Sequence, residues 1–144
     1  MRQVRFRPST PQEKLLESYA KGAKGKVFVS VRVGKDSQKA RHREIDGVRI
    51  PSAQPAIGRF AGDHEGFALA VGGKIVEAIE VVDDSLHRWV IGQAIVAKHL
   101  LEIKHRVSVA VPVVVCERGD ELLEQVCARL GVKVWTPATG FLVP

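Results

Sequence analysis

Apolar residues recur along this chain with two periods, and the switches between them outline its elements. Thr10-Pro11-Gln12-Glu13 is a helix start: Thr10 caps, Pro11 suits the first helical position and Glu13 completes a capping box. Leu15, Leu16 and Tyr19 then share one helical face, and Gly22 stops the helix after Lys21. Lys26 to Val33 alternates, with Val27, Val29, Val31 and Val33 on one side of a strand and Phe28, Ser30 and Arg32 on the other. A polar, basic connection from Gly34 to Lys39 leads towards a second strand, Arg43 to Ile50. There Glu44, Asp46, Val48 and Ile50 share a face opposite Ile45, Gly47 and Arg49. Residues 51–66 hold two prolines, three glycines and little periodicity, and read as a long loop. Phe67 to Val71 reads as a short strand, joined by Gly72-Gly73 to the strand Lys74 to Val82. Asp83-Asp84-Ser85 is placed to cap a helix, Leu86 to Ile103, that is apolar nearly all round. Val107 to Val115 is an almost wholly apolar strand in which Pro112 marks a bulge or an edge. Asp120 to Leu130 is an amphipathic helix with Leu122, Leu123, Val126, Cys127 and Leu130 inward, and Val132 to Trp135 is a last short strand.

The early hairpins imply antiparallel pairing, and the late strand–helix–strand crossover implies parallel pairing. The expected fold class is therefore α/β, a central mixed β-sheet flanked by helices on both faces. A chain of 144 residues, 45% of them hydrophobic, suits a single domain over 1–144. Within it, residues 1–9 read as a basic arm, 51–66 as an insertion and 136–144 as an irregular tail. No apolar run approaches the roughly 18 residues that span a bilayer, so no membrane partner is expected. The basic start lacks the apolar segment of a secretory signal, and Cys116 and Cys127 have no metal-ligand neighbours at finger spacing. Both observations fit a reducing, cytoplasmic setting.

Charge changes the picture. The net charge is +6, but the first 49 residues carry thirteen Lys/Arg against five Asp/Glu, a net +8, while the remainder is net −2. A basic third of this kind suits a polyanion, DNA foremost. Lys24, Lys26, Lys35, Lys39, Arg41 and Arg43 are the candidate phosphate contacts.

Candidate chemistry comes from carboxylates in strands. Glu77 lies between Val76 and Ala78 in a segment apolar enough to be covered on both faces, where a carboxylate needs a cation, a metal or a proton. Asp46 sits in an earlier strand, and Gly92-Gln93 follows in the next helix. His64, between Asp63 and Glu65, reads rather as a solvated tip.

This order, with Ile45-Asp46, Glu77-Ala78-Ile79 and Gly92-Gln93 upon it, resembles the PD-(D/E)XK or restriction-endonuclease-like superfamily, which includes Holliday-junction resolvases and phage and archaeal nucleases. The resemblance covers roughly residues 10–135 and implies an αβββαβ core and a Mg²⁺-dependent endonuclease acting on DNA. It implies Asp46 and Glu77 as ligands of Mg²⁺ or Mn²⁺, Gln93 as their support, and Glu17 of the first helix as a further assistant. The ion would neutralise phosphate charge and ionise a water, the two needs of phosphodiester hydrolysis. The chain departs from the pattern at the Glu-x-Lys lysine, where Ile79 cannot act as acid, base or donor. Lys74 and Glu80 fall on the opposite face of a regular strand; a bulge would bring Glu80 round, and a lysine such as Lys98 would have to reach in from the helix. Two other readings follow: a catalytically inactive nucleic-acid-binding module on the same fold, or a small α/β interaction subunit whose Asp46 and Glu77 pair with arginines such as Arg43 or Arg49. Cleavage of two strands would suit a homodimer.

Overall fold

The computed structural model describes residues 4–33, 43–51 and 53–142. Its elements are β1 (Val4–Arg5), α1 (Pro11–Gly22), β2 (Lys26–Val33), β3 (Arg43–Ile50), β4 (Ala56–Arg59), α2 (His64–Val71), β5 (Ile75–Ser85), α3 (Arg88–His105), β6 (Val109–Arg118), α4 (Glu121–Leu130), β7 (Lys133–Thr136) and β8 (Gly140–Phe141). All eight strands form one sheet in the order β1-β4-β2-β3-β5-β6-β7-β8. The β2–β3 and β3–β5 pairs are antiparallel, whereas β5–β6 and β6–β7 are parallel across the crossovers α3 and α4. The chain is thus α/β with a mixed sheet and helices on both faces.

The two faces are closed by different helices. On one, α1 buries Leu15, Leu16 and Tyr19 against Val27, Val29, Ile79, Val113 and Val115. Gly47 allows this close approach, because a Cβ there would lie 3.2 Å from Leu16 Cδ1. On the other, α2 and α3 bury Phe67, Val71, Ala97 and Leu101 against Phe28, Val48, Val76 and Ala78. Each large aliphatic side chain so buried contributes about 1.5–3 kcal/mol of transfer free energy. Thr10 caps α1 as expected, accepting from the Glu13 amide at 3.1 Å.

Several expectations are corrected. Residues 51–66 are not one loop, because Ala56–Arg59 is β4, parallel to β2. Phe67–Val71 is not a strand but the body of α2. Asp63 caps that helix by accepting from Gly66 N at 2.9 Å, and Phe67 and Val71, four residues apart, are both fully buried. The cap of α3 is His87, whose Nδ1 accepts from Val90 N at 3.2 Å. Asp83 to Ser85 instead continue β5, and Ser85 Oγ accepts from Arg118 Nε of β6 at 3.2 Å. In α4 only Cys127 is fully buried, while Leu122, Val126 and Leu130 face outward, 70%, 39% and 51% exposed. The four valines of β2 do not share a face: Val27 and Val29 pack on the α1 side, Val31 and Val33 on the other. The reversal occurs at Ser30, whose φ of 57° lies in the left-handed region. Among the described residues no helix is long and apolar enough to cross a membrane.

Candidate functional site

Antiparallel pairing between β3 and β5 covers only three residue pairs, Gly47 with Ile79, Val48 with Ala78 and Arg49 with Glu77. Because side chains alternate, this register sends Arg49 and Glu77 to the α1 face and Asp46 and Glu80 to the α3 face. Beyond Gly47 the ladder stops, and the Val81 amide donates to the Asp46 carboxylate (Oδ2) at 2.8 Å. Directly across from Asp46 on β2, Ser30 also breaks the alternation, so two neighbouring strands are irregular at the same level.

Glu80 is 7% exposed and packs against Asp46, which contacts it through both its side chain and its backbone N–H. Burial, the Asp46 charge beside it and the more distant Glu44 charge push the Glu80 carboxyl up to about 10. The neutral form of Glu80 is therefore favoured, hydrogen-bonded to the Asp46 carboxylate. The pair opens into a cavity of about 970 Å³. Its sheet side holds Ser30, Arg43, Asp46, Arg59 and Glu80, the start of α1 adds Thr10 and Glu13, and α3 lines it with Arg88, Trp89, Gly92, Gln93 and Val96. Arg59 is ion-paired to Glu13, which in turn accepts from the Ser9 amide at 3.1 Å, tying the start of α1 to β4.

Glu77 has the opposite surroundings. Its two carboxylate oxygens accept from Arg49 Nε and Nη2, both at 2.7 Å, and Tyr19 donates its hydroxyl at 2.5 Å. Arg49 also donates to the Lys24 carbonyl. The hydrogen bonds to Glu77 raise the Arg49 guanidinium further above its already high range, and burial followed by the Glu77 charge raises the Tyr19 phenol. Tyr19 is itself fully buried, edge-on to Trp135 at 5.3 Å.

Asp46 and Glu77 are therefore not brought together, and Glu80 stands where Glu77 was expected. Gln93 does face the Asp46 cavity. Glu17 does not line it, and lies 3.4 Å from Lys21 on α1. Of the basic candidates Arg43 lines the cavity, while Lys24 lies in the turn before β2 and Lys26 opens that strand, its ammonium 4.7 Å from the Phe28 ring. Lys35, Lys39 and Arg41 lie outside the described residues. Arg59, Arg88 and Trp89 were not singled out from the sequence; only the tertiary fold gathers them. Among the described residues no three His, Cys, Asp or Glu side chains form a group able to hold a metal ion. Comparison with protein families, curated proteins and solved structures gives no match for this chain.

Proposed function

We propose that this chain is a divalent-cation-dependent phosphodiesterase acting on DNA, on a restriction-endonuclease-like core. The observation that carries the reading is the Asp46–Glu80 pair, set at the fork between β3 and β5 and open to a cavity that Gln93 faces from α3. The succession α1, β2, β3, β5, α3, β6, antiparallel through the first three strands and parallel at the last, supports it. So does the position of Asp46 in the second of these strands and Glu80 in the third.

The donor set fits Mg²⁺ or Mn²⁺. Both prefer carboxylate oxygen, and Mg²⁺ is commonly held by one or two carboxylates, with water and substrate phosphate completing the shell. Asp46 and Glu80 would hold the ion, which when bound supplies phosphate polarisation and an ionised water. The residues do the rest. Arg43 and Arg88 present guanidinium groups to phosphate oxygens. Gln93 offers an amide donor to a phosphate or water. The fixed Val81 amide holds the Asp46 carboxylate in place. Plasmid nicking in Mn²⁺ tests this: Asp46→Asn and Glu80→Gln should each lower the rate at least about 100-fold. Nicking that persists in both variants contradicts the assignment.

One observation favours a second reading, a binding module without catalysis. No lysine lines the cavity among the described residues, and the residue two beyond Glu80 is Val82, half-buried against an apolar cluster and paired with Cys116 of β6. Salt-dependent DNA binding with no nicking in either Mg²⁺ or Mn²⁺ would select it.

A further inference from the structure

The two walls of the Asp46–Glu80 cavity differ in chemistry. The sheet wall is polar and charged. The α3 wall is apolar apart from Arg88 at its start and Gln93, and two of its side chains are far more exposed than apolar groups normally are: Trp89 at 74% and Val96 at 54%. Trp135, the other tryptophan, is half-buried and packed on Tyr19, so Trp89 is the indole that faces solvent. Between Trp89 and Val96 the helix carries Gly92, and a Cβ placed there would meet nothing within 4 Å. The wall is thus an aromatic plane beside a stretch of bare helix backbone, with an amide one turn further on at Gln93.

Resting on the nuclease reading, we infer that the cavity takes a nucleic acid with an unpaired base next to the scissile phosphate, the base stacking on Trp89. A nucleotide is divided as the cavity is, anionic on its phosphate and apolar on its ring faces. In a duplex those faces are already stacked, so an exposed indole adds affinity only for a base that has left the stack. With the phosphate at the Asp46–Glu80 side and near Arg43 and Arg59, the base is directed at α3. Gln93, on the same helical face as Trp89, is placed to hydrogen-bond a base edge. Val96 closes the apolar strip behind it.

The exposed strip continues to Ile103, 72% exposed, so a second copy of the chain is the rival occupant. The test is fluorescence anisotropy of a labelled oligothymidylate and a blunt duplex, in EDTA at low salt, with wild-type protein, Trp89→Ala, Trp89→Phe and Arg88→Ala. Trp89 is exposed, so its variants should fold, which circular dichroism verifies. The inference expects the single strand to bind tighter than the duplex. Trp89→Ala should weaken the single strand about 10-fold while shifting the duplex less than about twofold, and Trp89→Phe should restore most of the loss. Equal single-strand binding by wild type and Trp89→Ala, with Arg88→Ala weakening both ligands, overturns stacking and leaves the nuclease reading standing. Absence of binding to either ligand removes both. A wild-type dimer that Trp89→Ala makes monomeric, with single-strand affinity unchanged, overturns the inference and assigns the strip to self-association.

Discussion

Glu77 and Glu80 stand three residues apart on one strand, and both are buried, 4% and 7% exposed. Their fates differ because they face opposite sides of the sheet. On the α1 side Glu77 meets a guanidinium in bidentate contact and a phenol, so its ionised form is fully paired. On the α3 side Glu80 meets a second carboxylate in an open cavity, so its neutral form is favoured. Burial alone does not mark a functional carboxylate. The sign of the nearest charge separates the two: Glu77 is a strut joining α1 to the sheet, and Glu80, on the proposed reading, belongs to a site that a cation would relieve.

Breaking the strut should have the larger effect on folding. Arg49→Met strands a buried carboxylate and should cost about 3–5 kcal/mol by urea denaturation, whereas Arg49→Met with Glu77→Leu should recover at least half of that. A loss under about 1 kcal/mol in the single variant would mean that Glu77 is not held as described.

The cavity side should respond with the opposite sign. The Glu80 carboxyl is raised on folding, so above its ordinary range the unfolded chain releases a proton that the folded chain keeps. Its contribution to stability is complete in acid and is lost as pH rises towards 10. Glu80→Gln keeps a donor towards Asp46 but removes the ionisation. It should stabilise the apo protein by about 1–3 kcal/mol at pH 8 and flatten the decline between pH 5 and pH 9. Equal slopes for variant and wild type in urea melts across that range would show that Glu80 ionises as an ordinary glutamate.

Much of the fold was legible because its signals are local. Thr10-Pro11 and Gly22 bound α1, and Gly131 ends α4 at a φ of 71°. The mixed pairing followed from element order alone. The region 56–71 was not legible, because Phe-Ala-Leu-Ala-Val is a short apolar run that a strand and a helix accept equally. Only the Asp63 cap distinguishes the two. The sequence singles out Asp46 and Gln93, which do share a cavity, but it points to Glu77 as their partner. That choice required the register of β5 on β3, two strands separated in sequence by β4 and α2, and a one-residue slip exchanges the faces. The pairing of Arg49 with Glu77 was within reach as a rival: it uses a neighbouring arginine to neutralise a covered carboxylate, and it forces Asp46 towards Glu80.

The most direct measurement is calorimetric titration of Mn²⁺ into metal-free protein at pH 7.5, comparing wild type, Asp46→Asn, Glu80→Gln and Tyr19→Phe, the last touching only the Glu77 side. One ion should bind wild type and Tyr19→Phe alike, and its affinity should fall at least about 10-fold in Asp46→Asn and Glu80→Gln. Undiminished binding in Glu80→Gln, or loss confined to Tyr19→Phe, would contradict the account.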